Sequence, residues 1–376
     1  LLTLAAVLNT QIANILGRQI VTREITKKLL AVALAFTAFG AAQAAPVTGT
    51  ITPLISSGAA PDSPAARVDP NVPSSAFSGV VSINIRYDGQ SYICSGALVG
   101  KRQVISAGHC VDTNGQGSLI DLNKPGSDVR VVFNASSTPG DPGRAVINAS
   151  KVQMNPNYAG FGNCPAGVPG FCVNDDLAVI TLGQDAPDSA KIYKIAGGEV
   201  DAGTRIILAG YGTSGDGING YTISPDFRVK RTGENIIDLF DGNDEQNFAG
   251  AREVWYADFD GNGRDIFCEW NLACSEQLPN NRETNIGGGD SGGPSFIEMY
   301  GELVLVANNT FGGTPDDITK GAFGSYFGGI LLHSYLDYIV AATEGQVTVV
   351  PEPATAAMVG LGLLALAGAR RRKQQR

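Results

Sequence analysis

The chain has 376 residues, 48 of them glycine and 19 proline, and only 17% of its side chains are charged. That composition suits short strands joined by many turns, and β-branched runs such as Val80-Val81-Ser82-Ile83-Asn84-Ile85 favour sheet, so one large all-β domain with processing segments is expected. A net charge of −9 without a basic stripe excludes nucleic acid as a partner, and the acidity is read as serving solubility.

In chain order, residues 1–20 are read as an upstream extension and set aside from fold reasoning, with initiation at Val21 as an alternative start. Residues 21–44 form a signal peptide: basic Lys27-Lys28, apolar Leu29 to Phe39, then Ala42-Gln43-Ala44 as a small-x-small site for signal peptidase. Residues 45–67, rich in Pro, Ser, Thr and Ala, read as a flexible propeptide. The main domain spans 68–343, followed by a linker at 344–349. The final segment, 350–376, carries Pro351-Glu352-Pro353, an apolar stretch from Ala354 to Gly368 and the basic cluster Arg370-Arg371-Arg372-Lys373. That apolar stretch is short of the roughly 20 residues of a stable spanning helix, so a transient anchor is expected, with a permanent anchor as the alternative.

The chemistry concentrates in Gly287-Gly288-Gly289-Asp290-Ser291-Gly292-Gly293-Pro294. A serine flanked by glycines on a tight turn presents a nucleophilic hydroxyl beside free backbone N–H groups. A base is then required, and the chain has two histidines: His109, within Ser106-Ala107-Gly108-His109-Cys110, and His333 in an apolar stretch near the end. His109 is the expected base. The acid that fixes its tautomer is sought in Asn174-Asp175-Asp176-Leu177-Ala178-Val179, with Asp176 preferred over Asp175.

The order His, Asp, Ser and these three local sequences resemble the trypsin/chymotrypsin family of serine proteases. Lys151 to Tyr158 is similar to the segment before the family's aspartate, and Ala209-Gly210-Tyr211-Gly212 to the turn that opens its second barrel. The resemblance implies two six-stranded antiparallel β-barrels and a short C-terminal α-helix, expected within Ile330 to Ile339. It implies a secreted serine endopeptidase in which Ser291 attacks, His109 transfers the proton, Asp176 orients His109, and the N–H groups of Gly289 and Ser291 form an oxyanion hole. Protein or peptide substrates follow, and no cofactor is required. A catalytically idle surface or matrix-binding module and an esterase with the same triad are the alternatives.

The family pattern also implies activation by cleavage between Arg67 and Val68, the new amine pairing with Asp290. Here Val68-Asp69-Pro70-Asn71 replaces the usual glycine-containing start. Asn285, six positions before Ser291, would lie at the base of the primary pocket, with Thr310, Phe311 and Gly312 on its wall. A neutral amide there argues against Arg or Lys preference, so cleavage after Arg67 would need a separate activating protease. The tail resembles a PEP-CTERM sorting signal, which implies an exosortase-type processing enzyme and export to the surface or exterior of a Gram-negative bacterium.

Six cysteines in an exported chain read as disulfides, and their positions suggest Cys94–Cys110, Cys164–Cys172 and Cys268–Cys274. The first also matches the family's first-barrel bridge. Zinc is the competing reading, disfavoured because no CxxC spacing occurs. Asp258, Asp260, Asn262, Arg264 through its carbonyl, and Glu269 satisfy the spacing of an EF-hand calcium loop, though no flanking helix pair is evident. A structural calcium ion is therefore an expectation, against the alternative of an ordinary Asp/Asn/Gly turn.

Overall fold

The computed structural model describes residues 55–138 and 140–351. The expected signal peptide, residues 45–54 and the tail from 352 onward lie outside the described residues.

The first half is a closed barrel of six strands. In chain order these are β1 (Val80–Tyr87), β2 (Gln90–Leu98), β3 (Gln103–Ser106), β4 (Asp128–Asn134), β5 (Arg144–Met154) and β6 (Ala178–Leu182). They close in the order β1-β2-β3-β6-β5-β4. The β1–β2 hairpin turns on Asp88-Gly89, both at positive φ (49° and 76°), the backbone that a two-residue turn between twisted strands requires. Val81, Ile83, Val104, Val131, Phe133, Ile147 and Ile180 fill the interior.

The second half comprises β7 (Lys194–Ala196), β8 (Arg205–Gly210), β9 (Ser214–Asp216), β10 (Gly220–Ile223), β11 (Arg231–Ile236), β12 (Leu239–Asn243), β13 (Ala249–Asp258), β14 (Pro294–Met299), β15 (Glu302–Gly313), β16 (Tyr326–Leu331) and β17 (Val349–Val350). β9 and β10 form a separate hairpin. The remainder is a nine-stranded sheet whose main path runs β11-β8-β14-β15-β16-β13-β12. The expected second closed six-stranded barrel is thus not formed. The reason is local: β12 folds back on β13, pairing Leu239 with Tyr256 and Asp241 with Val254. One edge of β13 is taken by β12 and the other by β16, so β11 has no ladder with it. The β11/β13 seam is instead bridged by single bonds. Asn235 Nδ2 donates to the Asp258 carbonyl (2.8 Å), and the Asp238 N–H donates to the Tyr256 carbonyl (2.8 Å).

Among the described residues there are two short α-helices, α1 (Ile266–Glu269) and α2 (Leu336–Ala342). The expected C-terminal helix is α2, entered through a 3₁₀ turn at Leu332–Tyr335; Ile330 and Leu331 belong to β16. A separate apolar cluster joins the halves, with Phe77, Val80 and Ile105 packed among Tyr193, Tyr211, Phe296 and Leu305.

The segment before β1 is built into this fold. Ile55 is buried in the second half, Ser57 bridges to Asp216, and Ser214 Oγ donates to the Ile55 carbonyl (2.7 Å). Residues 55–67, expected to be flexible, are therefore packed.

Candidate active site

His109 sits on a 3₁₀ turn, Gly108–Cys110, directly after β3. Its backbone N–H donates to Asp176 Oδ1 (2.7 Å), and its ring Nδ1 meets Asp176 Oδ2 (2.6 Å). Two contacts fix both the turn and the ring. Asp176 is fully buried just ahead of β6, where its own carbonyl accepts from Asn308 Nδ2 (3.3 Å). Desolvation pulls the imidazole toward its neutral form, but the charge and hydrogen bond of Asp176 outweigh it, leaving the His109 pKa above the ordinary 6.5. Asp175 takes the left-handed backbone (φ 62°), which turns its side chain elsewhere, to Asn155 Nδ2 (2.9 Å). Burial and the charges of Glu245, Glu253 and Asp244 push it up to about 8.

The loop carrying Ser291 turns on the inward-folded Asp290. Its carboxylate accepts the N–H groups of Gly212 (2.7 Å) and Gly287 (2.9 Å). A Cβ at position 212 would lie 2.5 Å from Asp290 Cγ, which accounts for the Gly-Tyr-Gly turn. Gly292 has φ 77°, and a Cβ there would lie 2.2 Å from Ser106 Oγ. Burial raises Asp290 to about 7, opposed by those two N–H groups and by Arg231. Ser95 of β2 ties the loop to the first barrel: its N–H donates to the Ser291 carbonyl (2.8 Å) and its hydroxyl to the Gly289 carbonyl (2.8 Å). Among the described residues, neither the Gly289 nor the Ser291 N–H donates to a backbone carbonyl.

Ser291 opens on a cavity of about 400 Å³ lined also by Thr310, Phe311 and Gly312. Phe161 joins that lining and packs edge-on against His109, with ring centroids 5.4 Å apart, so one wall residue of the cavity touches the histidine. Asn285 does not face it. Tyr221 of β10 lines the cavity instead, and Asn285, buried behind it, donates to the Tyr221 hydroxyl (3.2 Å). Lys320 also borders the cavity, which has no carboxylate in its lining. Phe161, Tyr221 and Lys320 carried no sequence signal, because each comes from a loop or hairpin distant in sequence from the motifs.

Arg67 is fully buried. Its Nε and Nη2 pair with Asp62 Oδ2 (2.7 and 2.5 Å), and Nη2 also donates to the carbonyls of Glu283 (2.8 Å) and Asn280 (3.3 Å). Val68 forms an isolated bridge with Arg231. In this uncleaved chain the bond expected to be cut is anchored on its Arg67 side, while Val68 is 41% exposed, and the Asp290 carboxylate accepts from Gly212 and Gly287 in the field of Arg231.

The three expected disulfides are present: Cys94–Cys110, Cys164–Cys172 and Cys268–Cys274. The expected EF-hand set does not converge. Asn262 is exposed, the Arg264 carbonyl accepts from Gly261 N–H (3.1 Å), and Glu269 pairs with Arg264 Nε (2.9 Å). Asp258 and Asp260 do converge, but with Asp265. Burial and neighbouring carboxylates push Asp260 up to about 9.

Residues 70–239 match the family model Trypsin. Over that stretch, a little under half of the chain, the protein is similar to the trypsin family. The match contains His109 and Asp176 and ends where β12 begins, so the edge-blocking strand and the Ser291 loop fall beyond it. Residues 349–373 match the PEP-CTERM protein-sorting motif, a mark of export and surface sorting. No curated protein matches the chain. No helix among the described residues is long and apolar enough to cross a membrane.

Proposed function

We propose that the chain is an exported serine endopeptidase that works through an acyl-enzyme. The observation that carries this is the two-point grip of Asp176 on His109 (2.7 and 2.6 Å) beside a Gly-Asp-Ser-Gly loop open to a cavity. Ser291 attacks the peptide carbonyl, His109 takes the proton and returns it to the leaving amine, and Asp176 stabilises the imidazolium. The N–H groups of Gly289 and Ser291 receive the developing oxyanion, each worth on the order of 3 kcal/mol in such sites. A cavity bordered by Lys320 and by no carboxylate suits uncharged or acidic side chains. Residues 55–67 stay with the enzyme, so no activating protease acts at Arg67. Export uses the signal peptide, and an exosortase-type enzyme handles the tail.

The test is a fluorophosphonate probe on the exported protein, followed by mass spectrometry beside Ser291→Ala. Labelling at Ser291 is expected. Absence of labelling on folded protein would favour the idle binding module over the protease.

A further inference from the structure

The β11/β13 seam, where the second barrel fails to close, holds a concentration of buried carboxylates. One oxygen from each of Asp258, Asp260 and Asp265 lies within 4.8 Å of the others. Asp238 adjoins them, its Oδ2 accepting from the Asp258 N–H (3.3 Å). Two of these groups each keep one buried oxygen with nothing to bond. Asp260 is 3% exposed and Asp238 7% exposed, yet Oδ1 of each lacks a hydrogen-bond partner. Buried charges of one sign persist only when something compensates them. Arg264, the basic residue of this loop, turns instead to Glu269 (2.9 Å) and Asp317 (3.9 Å). Glu283 is also near, but both its oxygens are engaged, Oε1 by Asn235 Nδ2 (2.7 Å) and Oε2 by the Leu278 N–H (3.0 Å).

We propose that Asp238, Asp258, Asp260 and Asp265 bind a divalent cation of the calcium type, which closes the β11/β13 seam and braces the wall of the cavity beside Ser291. An all-oxygen donor set without His or Cys suits a hard cation. The ligands differ from the sequence motif: Asp265 and Asp238 replace Asn262, Arg264 and Glu269. Asp265 is available because it caps α1 with only one oxygen, Oδ1, which accepts the Cys268 N–H (2.8 Å).

The brace runs through Phe259, between two ligands. Its N–H donates to the Ser325 carbonyl and its carbonyl accepts from Gly324 (both 2.8 Å), while its ring packs on Phe323 at 4.6 Å. Ser325 Oγ bonds Thr314 Oγ1 (2.9 Å), and Thr314 and Lys320 line the cavity. The bracing role rests on the cavity being the substrate pocket; cation binding itself does not.

The experiment uses the Ser291→Ala chain, which cannot digest itself. Equilibrium dialysis against calcium should give one site, removed in Asp260→Asn. With calcium at about 100 times its dissociation constant, the unfolding midpoint should rise by about 5 °C over chelator. Asp260→Asn should lose that rise and melt no lower than the parent chain in chelator, since it removes an unbonded charge. Asp265→Asn, at a less buried position, gives a second variant and should lose at least half of the rise. An unchanged midpoint with calcium and magnesium, or a full rise in both variants, overturns the proposal. In the unmutated enzyme, chelator should raise KM for a peptide at least threefold while Ser291 still labels; an unchanged KM overturns the brace. Loss of Ser291 labelling with calcium binding intact would count against the protease reading alone.

Discussion

Replacing Arg67 with alanine should destabilise the fold rather than trap a precursor. Its guanidinium is fully buried and engages Asp62, itself 4% exposed, and the carbonyls of Asn280 and Glu283. Removing it strands a buried carboxylate and withdraws the donor from two carbonyls. Breaking one side of a buried ion pair costs about 3–5 kcal/mol, and at about 2 °C per kcal/mol for a large domain the unfolding midpoint should fall by roughly 6–10 °C. The assay is thermal and urea unfolding in the Ser291→Ala background, with Asp62→Ala and the double variant completing a cycle. The double variant should lose less than the sum of the two single losses, because it leaves neither charge stranded. A loss under about 1 kcal/mol, the scale of a solvent-exposed pair, with active protein beginning at Val68, would refute the reasoning and restore activation by cleavage.

Three further outcomes follow from the site. Because Asp176 holds the His109 pKa above 6.5, kcat/KM should fall as pH drops through an apparent pKa above that value; Asp176→Asn should lower kcat about 10⁴-fold, whereas Asp175→Asn should still label at Ser291. Asp290 and Asp175 have folded pKa values raised to about 7 and about 8 from 3.8. The folded state therefore binds more protons than the unfolded one across that window, and stability should decline as pH rises from 4 to 8, by about 4 kcal/mol for Asp290 alone; calorimetry should find a lower midpoint at pH 8 than at pH 5, and Asp175→Asn should flatten the slope. Lys320→Glu should move cleavage preference in a peptide library away from acidic side chains and toward basic ones, and an unchanged preference would remove Lys320 from the pocket.

The candidate site was legible because each member sits in a short motif whose backbone needs are local: the glycines around Ser291, the Gly-His-Cys turn, and the carboxylate ahead of β6. It is Asp176 and not Asp175 that meets His109, for a reason absent from the sequence, the left-handed backbone at Asp175. What failed was set by competition between distant segments. β12 occupies an edge of β13 through register, which no local pattern encodes. The interval that pointed to Asn285 was overridden by Tyr221, brought in by the β9–β10 hairpin. The composition of residues 55–67 reads as loose chain, yet the segment is pinned by Arg67 on the carbonyls of Asn280 and Glu283 and by Ile55 in the core. The Asp258–Asp260 spacing marked two carboxylates that converge, but those beside them came from the residue that caps α1, Asp265, and from the turn after β11, Asp238.

Ser95 acts as an interlock between the two halves. Its hydroxyl accepts from Tyr211 on the second half (3.0 Å) and donates to Gly289, while its amide holds the Ser291 carbonyl. The loop presenting the nucleophile thus takes its shape from a first-barrel strand, and the base and its carboxylate also belong to that barrel. A fragment of either half, released by damage or by a nick in the connecting chain, is therefore born inert. Whatever chemistry the site performs therefore waits until both halves have folded and docked.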